Sequence, residues 1–289
     1  ILQTLPQAIQ TMLDPADCGP ACLSLSQDVQ GETYEYPEEF FKERVHNIRR
    51  PRPDDFQIKQ AAEQIKKSKN PLLISGGGVF YSDAMEDLSN FAIKHNIPVT
   101  QTVMGYSTMK RDHSHFLGPI GGLGGKAANN LAKQTDLAIA VGTKLADFTT
   151  GSWANFENPD FSLVSVNVSR FDASKHLAQS VIGDAKVSLQ ELSNALGDWK
   201  APDEWHKKSR DELKNWNDYV DKESGPTNQE LPSYAHAVGA IYRNSDPTDI
   251  AVTAAGGLVG EVVQIWRPKE LNTHETEWGF SCMSYEISG

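Results

Sequence analysis

The chain has 289 residues, 27 Lys plus Arg against 38 Asp plus Glu, and a net charge of −11, and at about 100–200 residues per domain that length favours two domains. A mean hydropathy of −0.46, with no run near the roughly 18 apolar residues of a membrane span, excludes a membrane helix, while the acidic field opposes diffuse contact with nucleic acid or anionic lipid. Cys18, Cys22 and Cys282 are too few for a disulfide framework, and Cys18 with Cys22 lacks a second ligand pair for zinc, which fits a reducing cytoplasm.

The chain opens on Ile1 without a charged leader and stops at Ser288 and Gly289 inside an apparent helical pattern, as expected of a piece of a longer protein. Residues 1–13 are amphipathic. Residues 18–25 (CGPACLSL) have a short strand pattern and read as the closing strand of a domain begun upstream. Residues 31–55 are polar and charged, with Pro37, Pro51, Pro53 and the pair Arg49 and Arg50, the composition of a semi-rigid linker.

Asp54 and Asp55 can cap a helix over 56–69, whose Ile58, Ala61, Ala62 and Ile65 share one face. Residues 71–75 (PLLIS) read as a strand, Gly76, Gly77 and Gly78 as a turn, 82–95 as a helix with Ala84, Leu88, Phe91 and Ala92 on its apolar face, and 97–102 as a strand. The run 115–151 then reads as glycine-rich loop, helix, buried strand and second glycine turn. Its Gly118, Gly121, Gly122, Gly124 and Gly125 leave no room for a regular element before Lys126, 127–133 is helical, and 136–141 (DLAIAV) suits a strand covered on both faces.

Residues 162–168 form a further strand, 181–185 an edge strand, and 187–196 a helix with Leu189, Leu192 and Leu196 in register. Strands alternating with helices across glycine turns predict an α/β fold, a doubly wound parallel sheet over 51–198, flanked by the end of one α/β domain at 1–50 and the start of another at 231–289. Residues 199–230 read as a charged surface helix and connector. After it come a helix over 231–242, a strand over 249–254, the turn at Gly256 and Gly257, and a helix through Val262 and Trp266.

Candidate chemistry is sparse. A glycine triplet between strand and helix can bring backbone amides and a helix N-terminus to a phosphate, yet Gly76–Gly78 lacks the G-x-G-x-x-G spacing, and a purely structural turn explains it equally well. His113 and His115 sit beside Asp112 without the i, i+4 spacing of a zinc pair and read as a solvated loop. No G-x-S-x-G elbow, P-loop or H-E-x-x-H occurs. Glu261, Glu275 and Glu277 near the last glycine turn fit a charged helix face.

The ordered set Gly76–Gly78, Thr102-Val103-Met104-Gly105, the run 115–151, Gly142-Thr143-Lys144-Leu145-Ala146-Asp147 and 164–168 resembles the central domain of thiamine-diphosphate enzymes of the acetohydroxyacid synthase type. Residues 18–30 look like the end of that family's pyrimidine-binding domain, and 249–289 like the start of its diphosphate-binding domain. Within the family, SLSQDVQGETYEYPEEFF at 24–41, DFTTGS at 147–152, VNVSRFDASK at 166–175 and EWGFSCMSYEISG at 277–289 are most similar to its inositol-catabolic hydrolases. Those cleave a carbon–carbon bond of a cyclic 1,2-diketone with water, opening the ring to a 5-deoxyglucuronic acid.

The resemblance implies that Gly256, Gly257 and Leu258 approach the diphosphate of thiamine diphosphate. Ser281, Cys282 and Met283 would line its aminopyrimidine and thiazolium, with Met283 as the apolar wedge that bends the cofactor. It implies Mg2+ in the parent enzyme, a small cyclic diketone as substrate, and a homodimer or homotetramer with the active site between subunits. The family's activating glutamate would precede Ile1 and its magnesium-binding segment would follow Gly289, so the chain alone is expected to be inactive.

In the synthases, the positions of Gly76, Gly77, Gly78, Thr102, Val103, Met104, Asn167 and Ser169 hold FAD. Here the loop histidine is missing from 120–124, and Lys144 and Ala146 replace an arginine and an acidic residue, which argues against FAD and leaves an empty site or one for ADP. Two rival readings stay open: a carboligase or decarboxylase of the synthase type, and a nucleotide-binding module without chemistry.

Overall fold

The computed structural model describes residues 1–277 and 279–288; residues 278 and 289, both inside the resemblance-bearing run 277–289, lie outside the described residues. The chain divides into two compact units, Ile1–Pro51 and Arg52–Gly289.

The first unit carries α1 (Thr4–Leu13), α2 (Gln27–Gln30) and a 3-10 turn at Glu38–Phe41, none with a buried residue. The Asp14 carboxylate accepts from the backbone N–H groups of Ala16 and Asp17 at 2.9 and 3.2 Å and pairs with Arg49 at 2.9 Å. These donors hold its carboxyl below the usual range. The expected strand at 18–25 does not form. An extended run becomes a strand only when a neighbour completes its hydrogen-bond ladder, and this unit holds no other strand among the described residues.

The second unit begins with α3 (Asp55–Lys67), its start fixed by the Asp54 carboxylate accepting from the Phe56 N–H at 2.8 Å and its apolar stripe Ile58, Ala61, Ala62 and Ile65 buried as read. There follow β1 (Pro71–Ser75), α4 (Gly78–Tyr81), α5 (Met85–His95), β2 (Val99–Gln101), β3 (Phe116–Pro119), α6 (Lys126–Ala132), β4 (Leu137–Val141), α7 (Asp147–Thr150), β5 (Ser162–Asn167), α8 (Arg170–Ala173), β6 (Gln179–Ile182), α9 (Ala185–Leu196) and α10 (Asp203–Glu223). The six strands form one parallel sheet in the order β3-β2-β1-β4-β5-β6. β1 and β4 are buried at every position, as strands covered by helices on both faces must be.

The winding direction reverses between β3 and β4. Right-handed crossovers therefore place α5 and α6 on opposite faces; α3 and α5 pack with α9, and α6 packs with α10. One correction concerns β3, which lies where the glycines were expected to exclude a regular element. Gly118, at φ +94, sits inside this edge strand beside β2, where one neighbour's ladder suffices to hold it.

Residues 199–230, read as a charged surface helix and connector, do form a helix, but it packs against the domain. α10 buries Trp205, Leu213, Trp216 and Val220; the Trp205 indole N–H donates to the Pro71 carbonyl at 2.8 Å, and a Cβ on Gly125 would meet the Trp216 ring nitrogen at 2.6 Å. Beyond it lie α11 (Tyr234–Asn244), β7 (Ala251–Thr253), α12 (Gly257–Ile265), β8 (His274–Thr276) and α13 (Tyr285–Ser288). β7 and β8 pair in parallel, Thr253 opposite Thr276. Val259 and Val263 of α12 pack with Val103 and Leu123, joining this layer to the six-stranded sheet.

Candidate functional site at two carboxyl edges

Parallel strands deliver their carboxyl ends to one edge, where α/β proteins hold ligands. At the six-stranded sheet this edge gathers, in order, Thr102, Val103 and Met104 after β2, Gly76, Gly77 and Gly78 after β1, Lys144 after β4, Asn167 at the end of β5 and Ser169 just beyond it. The fold thus brings together every residue expected of a nucleotide site. Its glycines, however, face one another. A Cβ on Gly78 would lie 2.7 Å from the Gly142 Cα, one on Gly76 would meet Thr143 and the Gly142 carbonyl, and one on Gly105 would lie 2.7 Å from the Gly76 Cα.

The polar groups of that edge are likewise engaged. The Gly78 N–H donates to the Gly142 carbonyl at 2.9 Å and the Thr102 N–H to Ser75 at 2.9 Å. The Asn167 amide donates to the Thr143 carbonyl at 3.1 Å and its oxygen accepts from the Ser169 N–H at 2.9 Å. Lys144 and Met104 are exposed.

The edge of the two-stranded sheet differs. Gly256, at φ +147, precedes α12 with no side chain capping the helix, and a Cβ on Gly256 or Gly257 would meet nothing within 4 Å. Leu258 is exposed. On the other strand's continuation, the Glu277 carboxylate accepts from the N–H groups of Phe280 and Cys282 at 2.6 and 2.7 Å, donors that hold it below its ordinary carboxylate range. Within that turn Ser281 has φ 52, and Cys282 and Met283 are exposed. Because β7 and β8 run parallel, Gly256–Leu258 and Ser281–Met283 emerge from the same edge, and the Glu286 carboxylate joins them by accepting from the Ala254 N–H at 3.1 Å.

Between the first edge and the two strands β7 and β8 lies a cavity of about 420 Å³, with Gly77, Tyr81 and Met104 on one side and Val252, His274 and Thr276 on the other; among the described residues no Lys or Arg lines it. Of its lining groups, the Thr276 hydroxyl and His274 Nε2 are buried without a hydrogen-bond partner, as is the hydroxyl of Thr253, the β7 residue opposite Thr276. Burial pushes the His274 imidazole down to about 4 and the Tyr106 phenol up.

Residues 58–192 match the family described as thiamine pyrophosphate enzyme, central domain. The whole chain is 37% identical over 315 residues to 3D-(3,5/4)-trihydroxycyclohexane-1,2-dione hydrolase of Clostridium perfringens strain 13, 39% over 317 to that of Clostridium tetani and 36% over 310 to that of Geobacillus thermodenitrificans. It covers 49%, 48% and 48% of those proteins, so the chain spans about half the length of the curated relatives it matches.

Away from the carboxyl edges of this central domain, the structure reassigns the histidines. His115 is not a solvated loop residue: it is buried at the start of β3, stacks on His206 at 4.2 Å, and contacts Asn96 Oδ1 through Nε2 at 3.2 Å. Burial first, then the neighbouring His206, His113 and Arg210 charges, push it down to about 4. It stands at the amino end of its strand, so its role is packing. Among the described residues no group of three or more His, Cys, Asp and Glu side chains is arranged to hold a metal, and no helix is long and apolar enough to cross a membrane. Of the three glutamates read as a helix face, Glu261 lies on α12, but Glu275 is in β8 and Glu277 in the turn after it; spacing along a presumed helix concealed both.

Proposed function

We propose that the whole protein is a thiamine-diphosphate-dependent hydrolase that opens a trihydroxycyclohexane-1,2-dione ring to a 5-deoxyglucuronic acid, a step of cytoplasmic inositol catabolism. One observation carries this: all of the chain aligns, at 36–39% identity, with enzymes named for that dione, and the alignment runs past the central domain into both flanks. Bound thiamine diphosphate supplies a carbanion at its thiazolium ring and an electron sink for carbon–carbon cleavage.

The chain's own residues fit such a cofactor at the second edge. Gly256 and Gly257 have no side chain to obstruct a diphosphate, and the uncapped start of α12 leaves backbone N–H groups pointing outward. Leu258 would give the adjoining apolar contact, Ser281 and Cys282 would line the pocket for its rings, and Met283 would be the apolar wedge against them. We place Mg2+ and the subunit contact of a homodimer or homotetramer in the whole protein, and expect this half alone to be inactive.

At the first edge we assign Gly76, Gly77, Gly78, Thr102, Val103, Met104, Lys144, Asn167 and Ser169 to architecture rather than to FAD or ADP. Support comes from the space at Gly76 and Gly78 being filled by the Gly142–Thr143 turn and from the Gly78, Thr102, Asn167 and Ser169 polar groups bonding within the protein. The test is ring opening of the dione by the whole protein with and without thiamine diphosphate and Mg2+. Cofactor-dependent opening is expected; cofactor-independent opening, or condensation of pyruvate in its place, would refute the assignment.

A further inference from the structure

We infer that Glu277 is a positioning residue: its carboxylate sets the turn that presents Ser281, Cys282 and Met283, and Glu286 fastens that turn to the end of β7. This rests on the cofactor role proposed above for those three residues. Ser281 and Ser284 adopt left-handed φ values of 52 and 74, a region disfavoured for side chains other than glycine unless surrounding contacts impose it. Phe280 and Met283 are exposed, so neither of these two side chains packs the turn into that shape.

Glu277 supplies the constraint. Each carboxylate oxygen takes one backbone N–H, Oε1 from Phe280 at 2.6 Å and Oε2 from Cys282 at 2.7 Å, three and five residues ahead. Charge-assisted bonds of this length are the stronger class, and two of them on one side chain fix the orientation of the peptide units between. A glutamate that served only to solvate the surface would leave its oxygens to water. Glu286 then accepts from Ala254, the residue following β7 and two before Gly256, and the Tyr285 hydroxyl donates to Glu275 of β8 at 3.2 Å. The turn that carries Met283 is thereby tied at one end by Glu277 and at the other, through Glu286, to the residue that follows β7.

The experiment has two arms. In residues 1–289, amide hydrogen exchange at Phe280 and Cys282 is compared between wild type and Glu277→Gln, in which one oxygen becomes an NH2 group that cannot accept. In the whole protein, kcat, the diketone KM and the thiamine diphosphate affinity are measured for wild type, Glu277→Gln, Glu277→Asp and Glu286→Gln. Exchange at both amides is expected to accelerate in Glu277→Gln. Its kcat or cofactor affinity should fall by roughly tenfold or more, the scale of one hydrogen bond to a charged acceptor, with diketone KM near wild type and partial rescue in Glu277→Asp. Unchanged exchange overturns the inference, as does faster exchange with unchanged kcat and cofactor affinity. A wild-type protein indifferent to thiamine diphosphate overturns the functional reading and this inference together, an outcome told apart by the wild-type assay alone.

Discussion

Gly76 and Gly77 after β1, and Gly256 and Gly257 after β7, occupy equivalent places: each pair follows a parallel strand and leads into a helix. At the six-stranded sheet the space that glycine leaves is taken by the backbone of the neighbouring turn, and the polar atoms of the edge bond to one another. At the two-stranded sheet that space is open, the helix start is uncapped, and buried polar atoms nearby lack partners. A glycine turn at a carboxyl edge is therefore no sign of a ligand until one knows what fills the missing side chain. Close backbone approach can serve the protein's own chain as readily as a phosphate.

The sharpest way to break this comparison is with alanine. Gly78→Ala and Gly142→Ala place a methyl group against main chain that cannot retreat, at 2.7 Å in each case, and urea unfolding should show losses of about 4 kcal/mol or more, or no folding. Gly257→Ala should leave stability within about 1 kcal/mol of wild type. Next, Trp216→Ala removes a buried ring from the α6 and α10 seam and should cost roughly 3–5 kcal/mol, far beyond what a free connector would register.

A pH titration of stability probes the same division. The imidazoles of His115 and His274 are pushed down to about 4 by burial, so between pH 6.5 and 4 the unfolded chain takes up protons that the folded chain refuses. The contribution of these two groups to stability is thus greatest above pH 6.5 and declines as pH falls through that window. Replacing both by Asn should flatten the urea-midpoint curve there; an unaltered slope would remove these residues as its source.

The smallest effect concerns hydroxyls. Thr100 donates to the Gly118 carbonyl at 2.7 Å, whereas those of Thr253 and Thr276 are buried unpartnered. Thr100→Val should cost about 1–2 kcal/mol, while Thr253→Val and Thr276→Val should be neutral or stabilising by up to about 1 kcal/mol.

Much of the central domain was legible because its elements have strong local signals. PLLIS and LAIAV are continuous apolar runs, and Asp54 fixes the start of α3 by its own chemistry. β3 was concealed by Gly118 and Gly121, which suggest loop although an edge strand tolerates them. β8 was concealed because His-Glu-Thr has no apolar alternation; its strand character comes from pairing with β7. The run 18–25 failed in the opposite sense, having the local pattern but no partner in its unit. Of the site, the stretches near the two edges were readable as motifs, but whether a glycine is open or filled is set by residues far away in sequence, such as Gly142 against Gly78. Glu277 stood out only as a charge on a supposed helix face, since its two bonded amides are brought to it only by the folded turn.

The most direct test of the central claim is the thiamine diphosphate affinity of the whole protein, in the presence of Mg2+, for Gly77→Ala and Gly257→Ala beside wild type. Near-wild-type affinity is expected for Gly77→Ala, and at least roughly tenfold weaker binding for Gly257→Ala, since the added methyl obstructs close approach of the diphosphate to the backbone. Equal affinity in both variants, or weaker binding confined to Gly77→Ala, would contradict the assignment of the cofactor to the second edge.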